Sequence, residues 1–315
     1  MKVDVIASEA HYLRHMLPIW AALPDKMRGD VHPLVPPGAV TKAPMGRAAL
    51  VAGWQDVAPL RDLNKMIYVE HGSGQTYLGR EYDPSYSGSG GARHRGVIGY
   101  ISPSQMVADR FRKPAVAVGC PKLDRYVGIP KPLGQPPTVV FAWHWDCKMI
   151  QEAQSAWPHY EQKFSLIVDK FRAQGWRVVS HEHPKWRGAM NHRMTGLGVE
   201  TFQSDTDVFM YADLLIVDNS SLAFEFMALE RPVIFMNAPW YRFDVNHGGR
   251  FWDWAIEHPM VDGPDELLGL NLLDFIIMDD DRKMQLAKTA RQVYAHIDGS
   301  SSQRAADFIR DLLGD

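Results

Sequence analysis

The chain has 315 residues, 46% of them hydrophobic and 23% charged, with a formal net charge of −3. This is ordinary globular composition, and it excludes an overall nucleic-acid or membrane signature in the charge. The length exceeds what one core comfortably supports, so two domains of roughly 100–200 residues are expected. Only two cysteines occur, Cys120 and Cys147, each closing an apolar run, which excludes a disulfide framework. The opening MKVDVIAS is interrupted too soon for a signal peptide, and no apolar run reaches the ~18 residues of a membrane span. A cytoplasmic protein is expected, with any membrane contact peripheral.

Short β-rich runs alternate with helical patterns along the chain, the signature of parallel sheets built from βαβ units. In the first part the predicted strands are Val3–Ala7, Val31–Val35, Ala49–Ala52, Met66–Val69, Val97–Ile101 and Ala115–Val118. Tyr12, Leu13, Met16, Leu17 and Trp20 recur at helical spacing between the first two, interrupted by Pro18. Ser104 is the predicted N-cap of a helix between the last two. The run Ile129 to Pro137 holds four prolines and reads as a stiff inter-domain linker, or else as a long surface loop. A second alternation follows, with predicted strands Thr138–Ala142, Arg177–Ser180, Leu214–Val217 and Val233–Met236, and Phe164, Ile167, Val168 and Phe171 at helical spacing. Helical patterns over Arg282–Ile297 and Ser301–Leu313 close the chain, with Ser301 and Ser302 as candidate caps.

Four strand ends carry residues that burial alone does not explain. The first is Glu70-His71-Gly72-Ser73-Gly74-Gln75, where small residues let the backbone approach a ligand beside a histidine. His71 is either a general base, titrating near pH ~6.5 when unperturbed, or a structural turn histidine. The second is His181-Glu182-His183-Pro184. Two histidines around a carboxylate suggest a metal, but no further ligand motif accompanies them, so none is assigned. His183, held extended before Pro184, is better read as a phosphate donor or leaving-group stabiliser, or as a turn histidine. The third is Trp143-His144-Trp145-Asp146, either a stacking wall for a base or sugar or a packing cluster. The fourth, Asp218-Asn219-Ser220-Ser221, ends a buried strand and opens a helix. Its hydroxyls and free N–H groups can cradle a phosphate or simply cap the helix. Glu225, one turn on, reaches a ribose hydroxyl or sits on the solvent face.

These strand ends, in this order, resemble the CDP-glycerol glycerophosphotransferase family, whose members build teichoic-acid-type polymers on the GT-B architecture of many glycosyltransferases. Glu70-His71-Gly72 is similar to the family's His-Gly motif, and Gly119-Cys-Pro-Lys-Leu-Asp124 to its Gly-x-Pro-Arg-x-Asp. Phe141 to Trp145 resembles its Ala-Pro-Thr-Trp segment, and His183-Pro184 its His-Pro element. Tyr211 to Pro232 resembles its Ala-Asp-x-Leu-Ile-Thr-Asp-Tyr-Ser-Ser block, with Asn219 where the family has tyrosine and Trp143-His144 in place of Pro-Thr. The resemblance covers residues from about 66 to 240.

The resemblance implies an α/β protein of the GT-B class, two Rossmann-like parallel-sheet domains facing across a cleft. The expected division is an acceptor-side domain over residues 1–130, a nucleotide-donor domain over 131–297, and a helix at 298–315 packing back on the first. The implied activity is a metal-independent transfer of glycerol phosphate or a sugar from a nucleotide-diphosphate donor to an acceptor hydroxyl. His71 and His183 are the implied catalytic residues. Gly72, Trp143, His144, Pro184, Asp218, Asn219, Ser220, Ser221 and Glu225 lie around the donor; Ser73, Gln75, Arg93 and Arg95 lie on the acceptor side. No cofactor is expected beyond the activated donor, which serves as co-substrate. The acceptor is a phosphodiester polymer, nucleic acid or glycan. Basic residues between Arg93 and Lys131 outnumber acidic ones and motivate a second reading, a glycosyltransferase acting on modified DNA. The same architecture also suits a hydrolase or epimerase, or a non-catalytic nucleotide-binding protein.

Overall fold

A computed structural model describes residues 1–32, 47–57, 60, 65–73, 96–109, 111–146, 154–241 and 249–314. The chain forms two compact units, Met1–Gly128 with Arg291–Asp315, and Ile129–Ala290. The expected limits were 130 and 297.

The first unit is built on a parallel sheet of β1 (Val3–Ile6), β2 (Arg28–His32), β3 (Ala48–Val51), β4 (Met66–Val69), β5 (Val97–Ser102) and β6 (Ala115–Ala117), in spatial order β2-β1-β3-β4-β5-β6. β1, β3 and β4 are buried on both faces; β3 and β4 therefore read as continuous apolar runs, while β1 carries the buried Asp4. Strand alternation sends Val3, Val5, Leu50, Ile67 and Val69 to one face. Ile6, Ala49, Val51, Met66 and Tyr68 go to the other. Helix α1 (Ala10–Ala22) covers the first face with Tyr12, Met16 and Ile19 and carries Pro18 inside it. Ser104 accepts from the Val107 N–H, the capping bond expected of it.

In the second unit β7 (Thr138–Trp143), β8 (Arg177–Glu182), β9 (Glu200–Thr201), β10 (Leu214–Val217), β11 (Val233–Met236) and β12 (Met260–Val261) form a parallel sheet ordered β12-β11-β10-β7-β8-β9. Between them run α2 (Phe164–Ala173), α3 (Arg187–Gly196), α4 (Asp205–Tyr211) and α5 (Leu222–Ala228). All seven residues of α5 are buried. The two-residue strands β9 and β12 carry too little pattern to be read from sequence.

The proline segment begins where the second unit begins, at Ile129. Asp213 accepts from the Gly134 and Thr138 N–H groups and pairs with Lys131, tying the segment to the start of β7.

Helix α6 (Asp280–Val293) leads to α7 (Ser301–Leu313), whose Ala305, Ala306 and Ile309 enter the first unit's core beside α1. Its cap differs from the expected serine hydroxyls. The Asp124 carboxylate accepts from the N–H groups of Ser301 (3.0 Å) and Ser302 (2.6 Å), a charge-assisted cap on the positive helix end. Gly119 has φ +94°, and a Cβ there would lie 2.2 Å from the His296 carbonyl oxygen. The Gly119–Asp124 motif thus serves to seat the closing helix.

Candidate active site

In the first unit, His71 and Gly72 follow β4 directly. Gly72 has φ +70°, a conformation that costs a side-chain-bearing residue roughly 1–2 kcal/mol, so glycine is required where the chain turns after the histidine. His71 is half-buried, and Ser73 is buried behind it. The His71 ring meets three side chains of α1 with centroid separations of 4.7 Å to Tyr12, 5.9 Å to His15 and 6.1 Å to His11. Sequence reading missed these partners, although residues i, i+1 and i+4 of a helix share one side and the spacing His11-Tyr12-His15 was available as a signal. Gln75, Arg93 and Arg95 lie outside the described residues.

In the second unit the candidate residues gather at the carboxyl ends of β7, β8 and β10, where parallel sheets hold ligands. The register pairs Phe141 with Ser180, Ala142 with His181 and Trp143 with Glu182. Paired residues of neighbouring strands share a face, so Trp143 and Glu182 point one way and His144 and His183 the other. Trp143 is therefore a correction. It is 1% exposed, against Trp157 at 5.1 Å and Phe164 at 5.7 Å between ring centroids, and belongs to the core. The tryptophan available at this strand end is Trp145, half-buried, with the Lys185 ammonium 5.1 Å from its ring centre.

The same alternation separates the members of His181-Glu182-His183. Nδ1 of His181 faces the Phe202 carbonyl at 3.0 Å, tying β8 to the end of β9. Glu182 is buried on the opposite face, one oxygen accepting from Ser180 Oγ at 2.5 Å, and burial pushes its carboxyl up from the usual range. These three side chains do not converge on a common ligand position. His183 remains at the open end, its ring 5.3 Å from His144 and 6.3 Å from Trp145. Its Nδ1 accepts from the Lys185 N–H at 3.2 Å. In the neutral ring that places the proton on Nε2, making Nε2–H a donor. Pro184 is exposed beside it.

Asp218 is turned inward, which corrects its expected place among the phosphate ligands. Fully buried, it accepts from the N–H groups of His144 (2.9 Å) and Ala156 (3.1 Å) and from Ser155 Oγ (3.0 Å). Burial pushes its pKa up to about 7 against the pull of these donors. Its role is to fix the turn that presents His144. Asn219 is buried; Ser220 and Ser221 are half-buried. Ser220 Oγ accepts from the Leu222 N–H at 3.4 Å, while Ser221 makes no capping bond with its side chain. Glu225 is 2% exposed, so its solvent-face reading is excluded.

Among the described residues one cluster has metal-ligand spacing, Asp4, Asp30 and His32. Arg47 ion-pairs with both carboxylates and already supplies their counter-charge. A cavity of about 240 Å³, lined by residues including Pro232, Val233, Pro259 and Phe275, lies at the amino-terminal end of β11 and touches none of the candidate catalytic or donor residues. In the basic run, Arg110 with Arg93 and Arg95 falls outside the described residues. Lys113 bonds the Val97 carbonyl, Arg125 lies over Tyr126, and Lys131 pairs with Asp213, so these three are engaged within the fold.

The family model for CDP-glycerol:poly(glycerophosphate) glycerophosphotransferase matches residues 168–311. No curated protein matches the sequence. Among solved structures, the wall teichoic acid polymerase TagF in a soak with CDPG superposes with a TM-score of 0.64 at 14% identity, covering 99% of this chain and 89% of that one. A UDP-N-acetylglucosamine 2-epimerase from Listeria monocytogenes, described as putative in its own name, gives 0.60 at 12% identity, covering 99% and 96%. The S. aureus MnaA–UDP structure gives 0.59 at 12% identity, covering 100% and 97%. The chain is thus a GT-B-fold protein of the α/β class whose residues 168–311 match the CDP-glycerol glycerophosphotransferases, a family of transferases.

Proposed function

We propose that this protein transfers a group, glycerol phosphate or a sugar, from a nucleotide-diphosphate donor to an acceptor hydroxyl without a resident metal. The observation that carries the reading is the cluster at the ends of β7, β8 and β10: His144, Trp145, His183 and Lys185 near the Ser220-Ser221 turn. His183 presents an Nε2–H donor, and Lys185 adds a cation beside an aromatic face, the chemistry that a diphosphate joined to a flat base requires. The Ser221 hydroxyl is not consumed by capping and supports the phosphate-cradle reading. Glu225, buried in α5, serves a ribose hydroxyl in this scheme.

In the reaction so read, His71 takes the proton of the attacking acceptor hydroxyl. The bond from the transferred group to the donor's leaving phosphate breaks as the new bond to oxygen forms. His183 donates to the departing nucleotide, and a preorganised donor of this kind typically supplies ~3–4 kcal/mol to the transition state. The TagF structure is a soak with CDPG and the MnaA structure a complex with UDP, and such ligands on this fold support a nucleotide donor for this chain.

A thermal-shift panel of CDP-, UDP-, GDP- and ADP-linked compounds tests the donor. A CDP-linked compound at ~100 times its dissociation constant is expected to add ~2.7 kcal/mol of stability, and addition of EDTA to leave that shift unchanged. If no compound in the panel shifts the transition, the donor assignment is wrong.

A further inference from the structure

We propose that the cavity at the amino-terminal end of β11 is a binding site for a small uncharged apolar molecule, a bicyclic aromatic being the size that fits. The inference does not depend on the transferase reading. Every residue that lines the cavity belongs to the second unit, and none is a candidate catalytic or donor residue.

Strand direction places the cavity. Val233 is the first residue of β11 and follows Pro232, and β12 begins just after Pro259. The sheet is parallel, so these strand starts share one end. His144, His183 and Ser220 follow the opposite, carboxyl ends of β7, β8 and β10. The short helix Leu273–Ile276, the turn after it and α6 complete the wall with Phe275, Met278 and Leu286.

That wall is held without a ligand. Glu257 accepts from the side chains of Gln285 and Lys288, which ties the segment before β12 to α6. His258 Nε2 shares a hydrogen bond of 2.8 Å with Thr289 Oγ1 of the same helix. The Arg282 guanidinium donates to the Asp274 carbonyl at 2.6 Å and lies 6.0 Å from the Phe275 ring centre. Interiors hold few voids larger than a water molecule, and this one is braced on several sides, as pre-formed ligand sites are.

The same bonds define the chemistry of the occupant. Each polar side chain of the lining already has a partner within the protein, so none requires one from a ligand. Glu257 and Arg282 carry opposite charges. Burial pushes the His258 pKa down to about 4, so its ring adds no charge at neutral pH. The lining is thus balanced in charge, and the rest of it is aliphatic or aromatic. A charged ligand would lose water there without gaining a free counter-charge, whereas an apolar one gains by leaving water. Volume then sets the size. An apolar cavity of about 150 Å³ holds benzene, so by proportion about 240 Å³ takes about ten non-hydrogen atoms. Ile277 and Met284, beside lining residues in the chain and 76% and 62% exposed, make a second copy of the chain the competing occupant.

Indole is the probe. In the full chain labelled with ¹³C-methyl methionine, the Met278 resonance, assigned by its loss in Met278→Leu, is expected to shift saturably as indole is added. Isothermal titration is expected to show indole affinity weakened by about tenfold or more in Met278→Trp and in Val233→Phe, each of which puts an aromatic ring into the cavity. Indole-3-acetate, which adds a carboxylate, is expected to bind about tenfold or more weakly than indole. An unmoved Met278 methyl, wild-type affinity in both filling variants, or equal affinity for the two probes overturns the proposal. A Met278 shift that follows protein concentration and not indole also overturns it and assigns the surface to a second copy. The methyl titration uses the wild-type side chains, so it decides the case even where a filling variant does not fold.

Discussion

Asp218→Ala is expected to cost about 3–5 kcal/mol of stability, the range for removing the acceptor from several buried donors at once. The side chain is fully buried, and its two oxygens take the His144 and Ala156 N–H groups and the Ser155 hydroxyl. Alanine leaves all three donors without water or a partner, and the loss appears as a lower midpoint for the second unit in urea unfolding. Asp218 also sets a pH dependence whose sign is fixed by burial. Its folded pKa of about 7 lies above the ordinary value of 3.8, so between about pH 4 and 7 the folded state holds a proton that the unfolded state has lost. Stability therefore falls as pH rises through this window, by on the order of 4 kcal/mol if the group acts alone. Asp218→Asn, which does not titrate, is expected to flatten that slope. A wild-type slope in the Asn variant, or an Ala variant within ~1 kcal/mol of wild type, contradicts this role for Asp218.

The strands with four or more apolar residues in a row were legible because burial on both faces leaves an unbroken run: Met66–Val69, Leu214–Val217 and Val233–Met236 coincide with their predicted bounds. Register was not legible, and register decides which side chains reach a ligand. Trp143 and Trp145 look equivalent in the sequence, yet one lies in the aromatic core and the other at the open strand end, because β7 stops at Trp143 and the chain has left the sheet by Trp145. Asp218 looked like a ligand too. A carboxylate at a strand end beside serines gives no sign of its direction until the Ser155 and Ala156 donors, 63 and 62 residues away in sequence, are brought against it. The closing helix was visible as a pattern, but its cap was not. Asp124 reaches Ser301 and Ser302 across 177 and 178 positions of the chain, and no local rule names such a partner. The His-Gly and His-Pro elements were found by motif; His11, Tyr12, His15 and Lys185, which surround those histidines, were not.

His71→Ala is expected to lower turnover by about 10²–10⁴-fold, the range over which a positioned general base acts, while nucleotide affinity stays within about threefold of wild type. The two halves of that expectation have separate grounds. His71 belongs to the first unit, where its partners are Tyr12, His11 and His15. The residues proposed to hold the diphosphate, His183, Lys185, Ser220 and Ser221, belong to the second. Under that proposal a truncation at His71 leaves the proposed donor residues unaltered, so the loss is expected on kcat and not on nucleotide binding. The substitution also leaves Gly72 in its left-handed conformation, so the turn after β4 keeps its path. Isothermal titration with the nucleotide identified by the thermal-shift panel reads the affinity, and single-turnover kinetics read the chemical step. Wild-type turnover in the alanine variant removes His71 from the mechanism. An equal loss of turnover and nucleotide affinity makes it a binding residue, whereas loss of turnover alone leaves proton abstraction as the step that this histidine performs.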